Sequence, residues 1–191
     1  MTLFLVVLAF ISIAWIGYEV WLVYRDRKHN KGGTQIDRGS RYLNFTSLIL
    51  GISGAAILSG VPAFFFPGGR TEIIFWVGIS VMLAGFALRI WSVTTLGGSF
   101  RTTIETHAGQ KVVKSGPYKL IRHPSYSGLL LMCCGYGLAV QNWLSLAFAV
   151  VPPLLALLYR IHVEEIALRA SMGPEYQDYQ KHTKKIIPWV W

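Results

Sequence analysis

The chain has 191 residues, 53% of them hydrophobic and only 14% charged, with a mean hydropathy of +0.45. Soluble domains carry roughly a quarter charged residues, so this balance excludes an ordinary water-soluble domain and predicts a lipid-embedded one. The net charge of +9 is scattered through connectors between apolar runs, which argues for orientation in a bilayer and against a nucleic-acid-binding face.

In chain order, residues 2–24 are apolar apart from Glu19 and long enough to span at ~20 residues per crossing. A cleaved signal peptide is the rival reading, but neither a basic leader region nor a small-residue cleavage site is present. Residues 25–41 form a basic, flexible connector containing Gly32-Gly33. Residues 42–66 make the second span, with Pro62 near its end, and Pro67-Gly68-Gly69-Arg70 makes a tight turn. Residues 71–95 make the third span, with Arg89 close to its far end, and residues 97–122 the second polar connector.

Residues 127–140 and 143–159 flank Gln141-Asn142 and read as a helical hairpin. The first arm has only ~14 apolar residues, short for a full crossing. A mixed helix over 160–172 is stopped at Gly173, and Pro174 can open another that carries Tyr176 and Tyr179 on one face. The basic and then aromatic tail, 181–191, suits an interface anchor.

Lys and Arg fix the expected orientation. The first connector has six, the second five and the region from Arg169 onward four, while the turn between spans two and three has only Arg70. The positive-inside rule then puts the three rich segments in the cytoplasm and the N-terminus outside, with about five transmembrane helices. The expected fold is therefore an all-α integral membrane protein forming a single domain over 1–191. Residues 1–95 supply three spans, and 96–191 supply a catalytic half with loop, hairpin and C-terminal helix. Adjacent Cys133 and Cys134 offer neither a disulfide framework nor zinc spacing and read as packing.

Chemistry concentrates between Lys111 and Tyr126, the longest polar, turn-rich passage. Pro124 pushes His123 out of the helical region, so His123 should precede a helix whose N-terminal N–H groups suit an anionic or lone-pair-rich ligand. A basic connector on the cytoplasmic face is the plainer reading. Arg89 and Arg160 lie near the ends of apolar helices, where each either faces a cavity or snorkels to the headgroups. Glu164 shares a helical face with Arg160, whereas Glu165 pairs with Arg169 as a surface ion pair. No His-Glu-x-x-His, Gly-x-Gly-x-x-Gly, P-loop or Gly-x-Ser-x-Gly occurs, so no metal is expected and a nucleotide-like cofactor would be held without a Rossmann domain.

Gly116-x-Tyr118, Arg122-His123-Pro124-Ser125-Tyr126, Glu164-Glu165 and Gly173-x-Glu175-Tyr176-x-x-Tyr179 together resemble the isoprenylcysteine carboxyl methyltransferase family, in a short prokaryotic form, and the related phospholipid methyltransferases. The resemblance covers residues 89–188. It implies an integral membrane enzyme using S-adenosylmethionine, with its active site facing the cytoplasm of a bacterial or archaeal inner membrane. It puts cofactor contacts on Gln110, Lys111, Val112, Val113, Tyr118, His123, Pro124, Ser125, Tyr126 and Glu164, with a further one on Glu105. Substrate-side arginines fall on Arg89 and Arg160. The implied partner is a lipophilic or prenylated acceptor entering from the bilayer, and no nucleic acid.

The chemistry of these residues agrees with that implication. A carboxylate acceptor is already ionised and needs no general base, but it does need a cation, and Arg suits that role. Two alternatives stay open: a methyltransferase for a lipid amine or small thiol, and a steroid-reductase-like membrane oxidoreductase using NADPH. Gly97-Gly98-Ser99-Phe100 lacks the Asn often found before the loop, which leaves the acceptor open.

Overall fold

In the computed structural model, residues 2–29, 34–106 and 112–188 are described. Helices dominate: α1 (Thr2–His29), α2 (Ser40–Leu58), α3 (Glu72–Leu96), α4 (Pro124–Val140), α5 (Trp143–Met172) and α6 (Pro174–His182). A ribbon of two short antiparallel strands, β1 (Thr34–Gln35) and β2 (Glu105–Thr106), joins the two polar connectors. Among the described residues, four helices are long and apolar enough to cross a membrane, namely α1, α2, α3 and α5. The fifth apolar helix, α4, has 17 residues and is about 26 Å long, just under the hydrocarbon thickness.

Three boundaries differ from the sequence expectation. The second span, expected over 42–66, is helical only to Leu58, and a short 3-10 turn over Pro62–Phe64 follows it. The first helix continues to His29, because Arg25 and Asp26 find partners there and do not open a loop: Arg25 lies over Trp21 and Phe100, and Asp26 accepts the backbone N–H of Thr102 at 2.9 Å. The apolar run over 143–159 and the mixed run over 160–172 form one helix of 30 residues. Arg160, Glu164 and Glu165 all have buried or half-buried partners, so nothing interrupts it.

Close approach of α3 and α4 sets the scaffold. Gly78 and Gly85 on α3 face Gly135 and Gly128 on α4, at matching seven-residue spacings. A side chain on Gly85 would meet the Gly128 carbonyl at 2.6 Å, and one on Gly128 would meet the Gly85 carbonyl at 2.7 Å. Lipid provides no hydrophobic drive between helices, so small residues that admit backbone contact take over that role. The core continues through Met82, Leu129, Met132 and Cys133 to Ala149 and Leu157 on α5.

At the end opposite the connectors, the Gln141-Asn142 turn clamps three helices. Gln141 adopts a left-handed conformation and exchanges hydrogen bonds of 2.6 and 2.9 Å with the backbone of Thr71. Asn142 caps α5 through Ser145 and donates to the carbonyls of Leu58 and Val61. The hairpin read from Gln141-Asn142 is present, and it fixes the ends of α2 and α3 as well. Large apolar side chains such as Phe10, Ile13, Ile57, Ile73 and Leu155 point outward, as a lipid-facing surface requires.

Candidate active site

The site grows from a mismatch of helix lengths. Arg89 hydrogen-bonds Ser125 at the start of α4, yet α3 runs on to Leu96, roughly two turns or about 10 Å further. The start of α4 is therefore recessed below the end of α3. Residues 112–123 and the C-terminal segment wall in the space above it. A turn over Gly116–Lys119 brings Tyr118 beneath α3, where its hydroxyl donates to the Ser92 carbonyl at 3.4 Å. Gly116 has φ 55 and sits against Thr95, which leaves no room for a side chain. Residues 184–186 run alongside the loop: Arg122 and His123 donate their backbone N–H groups to the carbonyls of Lys184 and Lys185 at 2.8 and 2.9 Å.

His123 does precede α4, with Pro124 as the helix's first residue. Its buried ring stacks on Tyr126 at 5.5 Å. Nδ1 is 3.6 Å from Glu164 and Nε2 is 3.5 Å from Glu165, both long for a hydrogen bond. Tyr126 donates its hydroxyl proton to Glu164 at 2.7 Å and accepts from Arg160 Nε at 2.8 Å. Glu164 and Arg160 are thus joined through a phenol. Arg160 also donates to Asp37 at 3.2 Å, Ser40 at 3.1 Å and the Thr102 carbonyl at 2.7 Å. It ties both polar connectors to the core.

Two expectations need correction. The Glu165–Arg169 pair forms, but Glu165 is not a surface residue and Arg169 is not its main partner. Glu165 is buried and bonded to Arg122 at 2.7 Å, while the Arg169 contact is 3.7 Å long and lies on the exposed side. Neither Arg89 nor Arg160 snorkels. Both are buried, and Arg89 grips both carboxylate oxygens of Glu19 on α1.

Two cavities meet at this point. The larger is a solvent-open cleft of about 910 Å³ lined by Val112, Val113, Tyr118, His123, Ser125, Tyr126, Glu164 and Arg160. Phe100, Leu168, Met172, Tyr176 and Tyr179 also line it. The second, about 500 Å³, opens between α1 and α2 and is lined by Glu19, Arg41, Asn44, Arg89, Tyr126 and Arg160 with apolar Val23, Phe45, Leu48 and Leu129. Tyr126, Arg160, Phe100 and Arg101 belong to both and form the shared wall. Pro124 is buried at the helix start and does not line the cleft. Glu105 contributes its backbone to β2, and Gln110 and Lys111 lie outside the described residues.

The cleft offers a carboxylate and phenol groups to a ligand. Glu164 is its half-exposed carboxylate. The buried Tyr176 hydroxyl has no hydrogen-bond partner among the described residues. Burial, reinforced by Glu165 and Glu164, pushes its pKa far above the usual phenol range, so it remains a donor. Tyr179 is pushed up to about 12 by burial, against the pull of Arg122, and donates to the Tyr118 carbonyl at 2.6 Å. Sequence reasoning left Glu19, Asp37 and Tyr176 out of the site. The available signal was Glu19 itself, a lone carboxylate in an apolar run that requires a partner.

The family model for the isoprenylcysteine carboxyl methyltransferase (ICMT) family matches residues 76–170, a span that contains Arg89, His123, Tyr126, Arg160 and Glu164. A protein of Oryza sativa subsp. indica named probable protein-S-isoprenylcysteine O-methyltransferase is 30% identical over 161 residues, covering 80% of this chain and 84% of the relative. Protein-S-isoprenylcysteine O-methyltransferase B of Arabidopsis thaliana is 33% identical over 132 residues, covering 66% of each. Among solved structures, the eukaryotic intramembrane Ras methyltransferase ICMT shares the fold with a TM-score of 0.61 at 24% identity. That match covers 76% of this chain and 52% of the solved one.

Proposed function

The chain belongs to the isoprenylcysteine carboxyl methyltransferase family, and from that premise we propose that it is an integral membrane methyltransferase. It uses S-adenosylmethionine to O-methylate the carboxylate of an isoprenylcysteine-like or other apolar acceptor. The observation that carries this reading is the pair of cavities divided by Tyr126 and Arg160. One is polar and aromatic and faces the connectors. The other has an apolar flank between two membrane helices. A water-soluble cofactor and a lipid-soluble acceptor would thus approach from different phases and meet at one wall. We place the connector end in the cytoplasm on the Lys and Arg asymmetry.

S-adenosylmethionine, when bound, supplies an electrophilic methyl group on a positively charged sulfur. Glu164 provides the countercharge in the cleft, held in place by the Tyr126 hydroxyl. The Tyr176 hydroxyl offers a free donor, and Tyr118, Tyr126, Val112 and Val113 offer apolar and aromatic surface. His123 is stacked on Tyr126 and backs the same wall. On the other side, arginines outnumber the single carboxylate, Glu19, in the lining of the second cavity, a positive balance that favours an acceptor carboxylate. No general base is required, because that group is ionised at neutral pH. The same balance opposes a protonated lipid amine, and family membership sets the reductase reading aside.

The test is transfer of labelled methyl from S-adenosylmethionine to a farnesylated cysteine acceptor by the purified protein in detergent. Arg160→Ala should lower turnover by ~100-fold or more, because it unties the shared wall and removes its charge. Arg160→Lys should recover only part, since an ammonium cannot hold Tyr126, Asp37 and the Thr102 carbonyl together. Unchanged turnover in Arg160→Ala would remove the wall from the mechanism.

A further inference from the structure

The second cavity contains two polar groups that nothing above uses. Arg41 and Asn44 stand three residues apart on α2, share a helical face and both line the cavity. Arg41 uses its backbone N–H on Asp37 at 2.9 Å, but its guanidinium has no hydrogen bond or ion pair among the described residues. Asn44 Oδ1 is buried without a hydrogen-bond partner among the described residues. Buried acceptors are ordinarily satisfied, so one left open inside a cavity points to a donor brought by a ligand.

The neighbouring cations are already engaged. Arg89 makes four hydrogen bonds, to both oxygens of Glu19 and to the Ser125 hydroxyl and carbonyl. Arg160 also makes four, to Tyr126, Asp37, Ser40 and Thr102. Arg101 lies 3.8 Å from Asp26. Glu19 therefore balances Arg89, and Asp37 balances Arg160. Arg41 is the guanidinium lining this cavity that no carboxylate balances among the described residues.

We propose that Arg41 binds the acceptor's carboxylate directly, and that Asn44 Oδ1 accepts the N–H of an amide adjoining it. This assignment rests on the methyltransferase reading above and adds two acceptor contacts to it. An acceptor of the family's kind, an N-acylated amino-acid terminus with an apolar side chain, would lay that chain along Val23, Phe45, Leu48 and Leu129. Arg41 selects the anion and holds it, while Arg89 and Arg160, each paired with a carboxylate, serve as internal struts. Both groups come from the first turn and a half of α2.

Binding without cofactor tests the assignment, using N-acetyl-S-farnesylcysteine, its carboxamide and its N-methyl analogue as probes on the full-length protein in detergent. Wild type should prefer the carboxylate over the carboxamide by about tenfold or more, as expected for one charge-assisted contact. Arg41→Gln should erase that preference, and Arg41→Lys should keep part of it. Asn44→Leu should erase the preference for the N–H over the N-methyl probe and leave the carboxylate preference intact. Affinity for S-adenosylmethionine, unchanged within about twofold in each variant, shows that the cleft is still folded. In turnover the loss should appear in KM more than in kcat. If Arg41→Gln binds the cofactor and still prefers the carboxylate, the assignment is overturned. If wild type neither binds nor methylates the farnesylated probe, the parent reading fails, and this one with it.

Discussion

Glu164 and Glu165 carry the same side chain on faces of α5 about 100° apart, and the surroundings give them different work. Glu165 is locked against Arg122, buried, with Arg169 outside it. Removing one partner of such a pair leaves the other charge stranded, so Glu165→Gln should lower stability by about 3 kcal/mol. Glu164→Gln should leave the unfolding temperature nearly unchanged and weaken S-adenosylmethionine binding about tenfold or more. Thermal unfolding and calorimetry on the two variants check this, and the same profile for both would remove the distinction. The inward face of Glu164 was legible, because it continues the Arg160 row on the same helix. The burial of Glu165 was not, because an i,i+4 rule sees Arg169 and has no access to Arg122, 43 residues away in sequence.

Among the elements, helix existence was legible from apolar runs alone, and helix contact was not. The seven-residue spacing of Gly78 and Gly85 on α3 against Gly128 and Gly135 on α4 gains meaning only once the two helices are known to touch. Their contact brings Arg89 against Ser125, so scaffold and site are one structure. Gly85→Val should force the backbones apart, since its side chain would meet the Gly128 carbonyl and Leu131 at under 3 Å. The expected outcome is a loss of about 1–3 kcal/mol in stability together with weaker cofactor binding. Gly17→Val, on the open face of α1, is the control and should change neither. Cofactor binding that survives the loss of stability would show that the cleft does not depend on the α3–α4 contact.

For the molecule as a whole, the long-range ion pairs explain how thinly packed helices converge on one site. The α1 helix exposes most of its apolar surface, and Glu19 and Asp26 attach it to Arg89 and Thr102, 70 and 76 residues away. Asp37 joins the first connector to Arg160 across 123 residues. These carboxylates have no local motif, which is why the sequence shows the cations of the site more clearly than their partners. All of these ties lie at the connector end, the end rich in Lys and Arg, while the opposite end is held by uncharged Gln141 and Asn142. If charge orients the chain as proposed, the cleft beside those ties opens to the cytoplasm. Single cysteines test this in a chain whose Cys133 and Cys134 are replaced by Ala. In right-side-out vesicles an impermeant thiol reagent should label Ala63→Cys, at the exposed turn after α2, and spare Asp178→Cys on α6 until the membrane is opened. The reverse pattern would put the cleft on the outside, where an intracellular cofactor could not reach it.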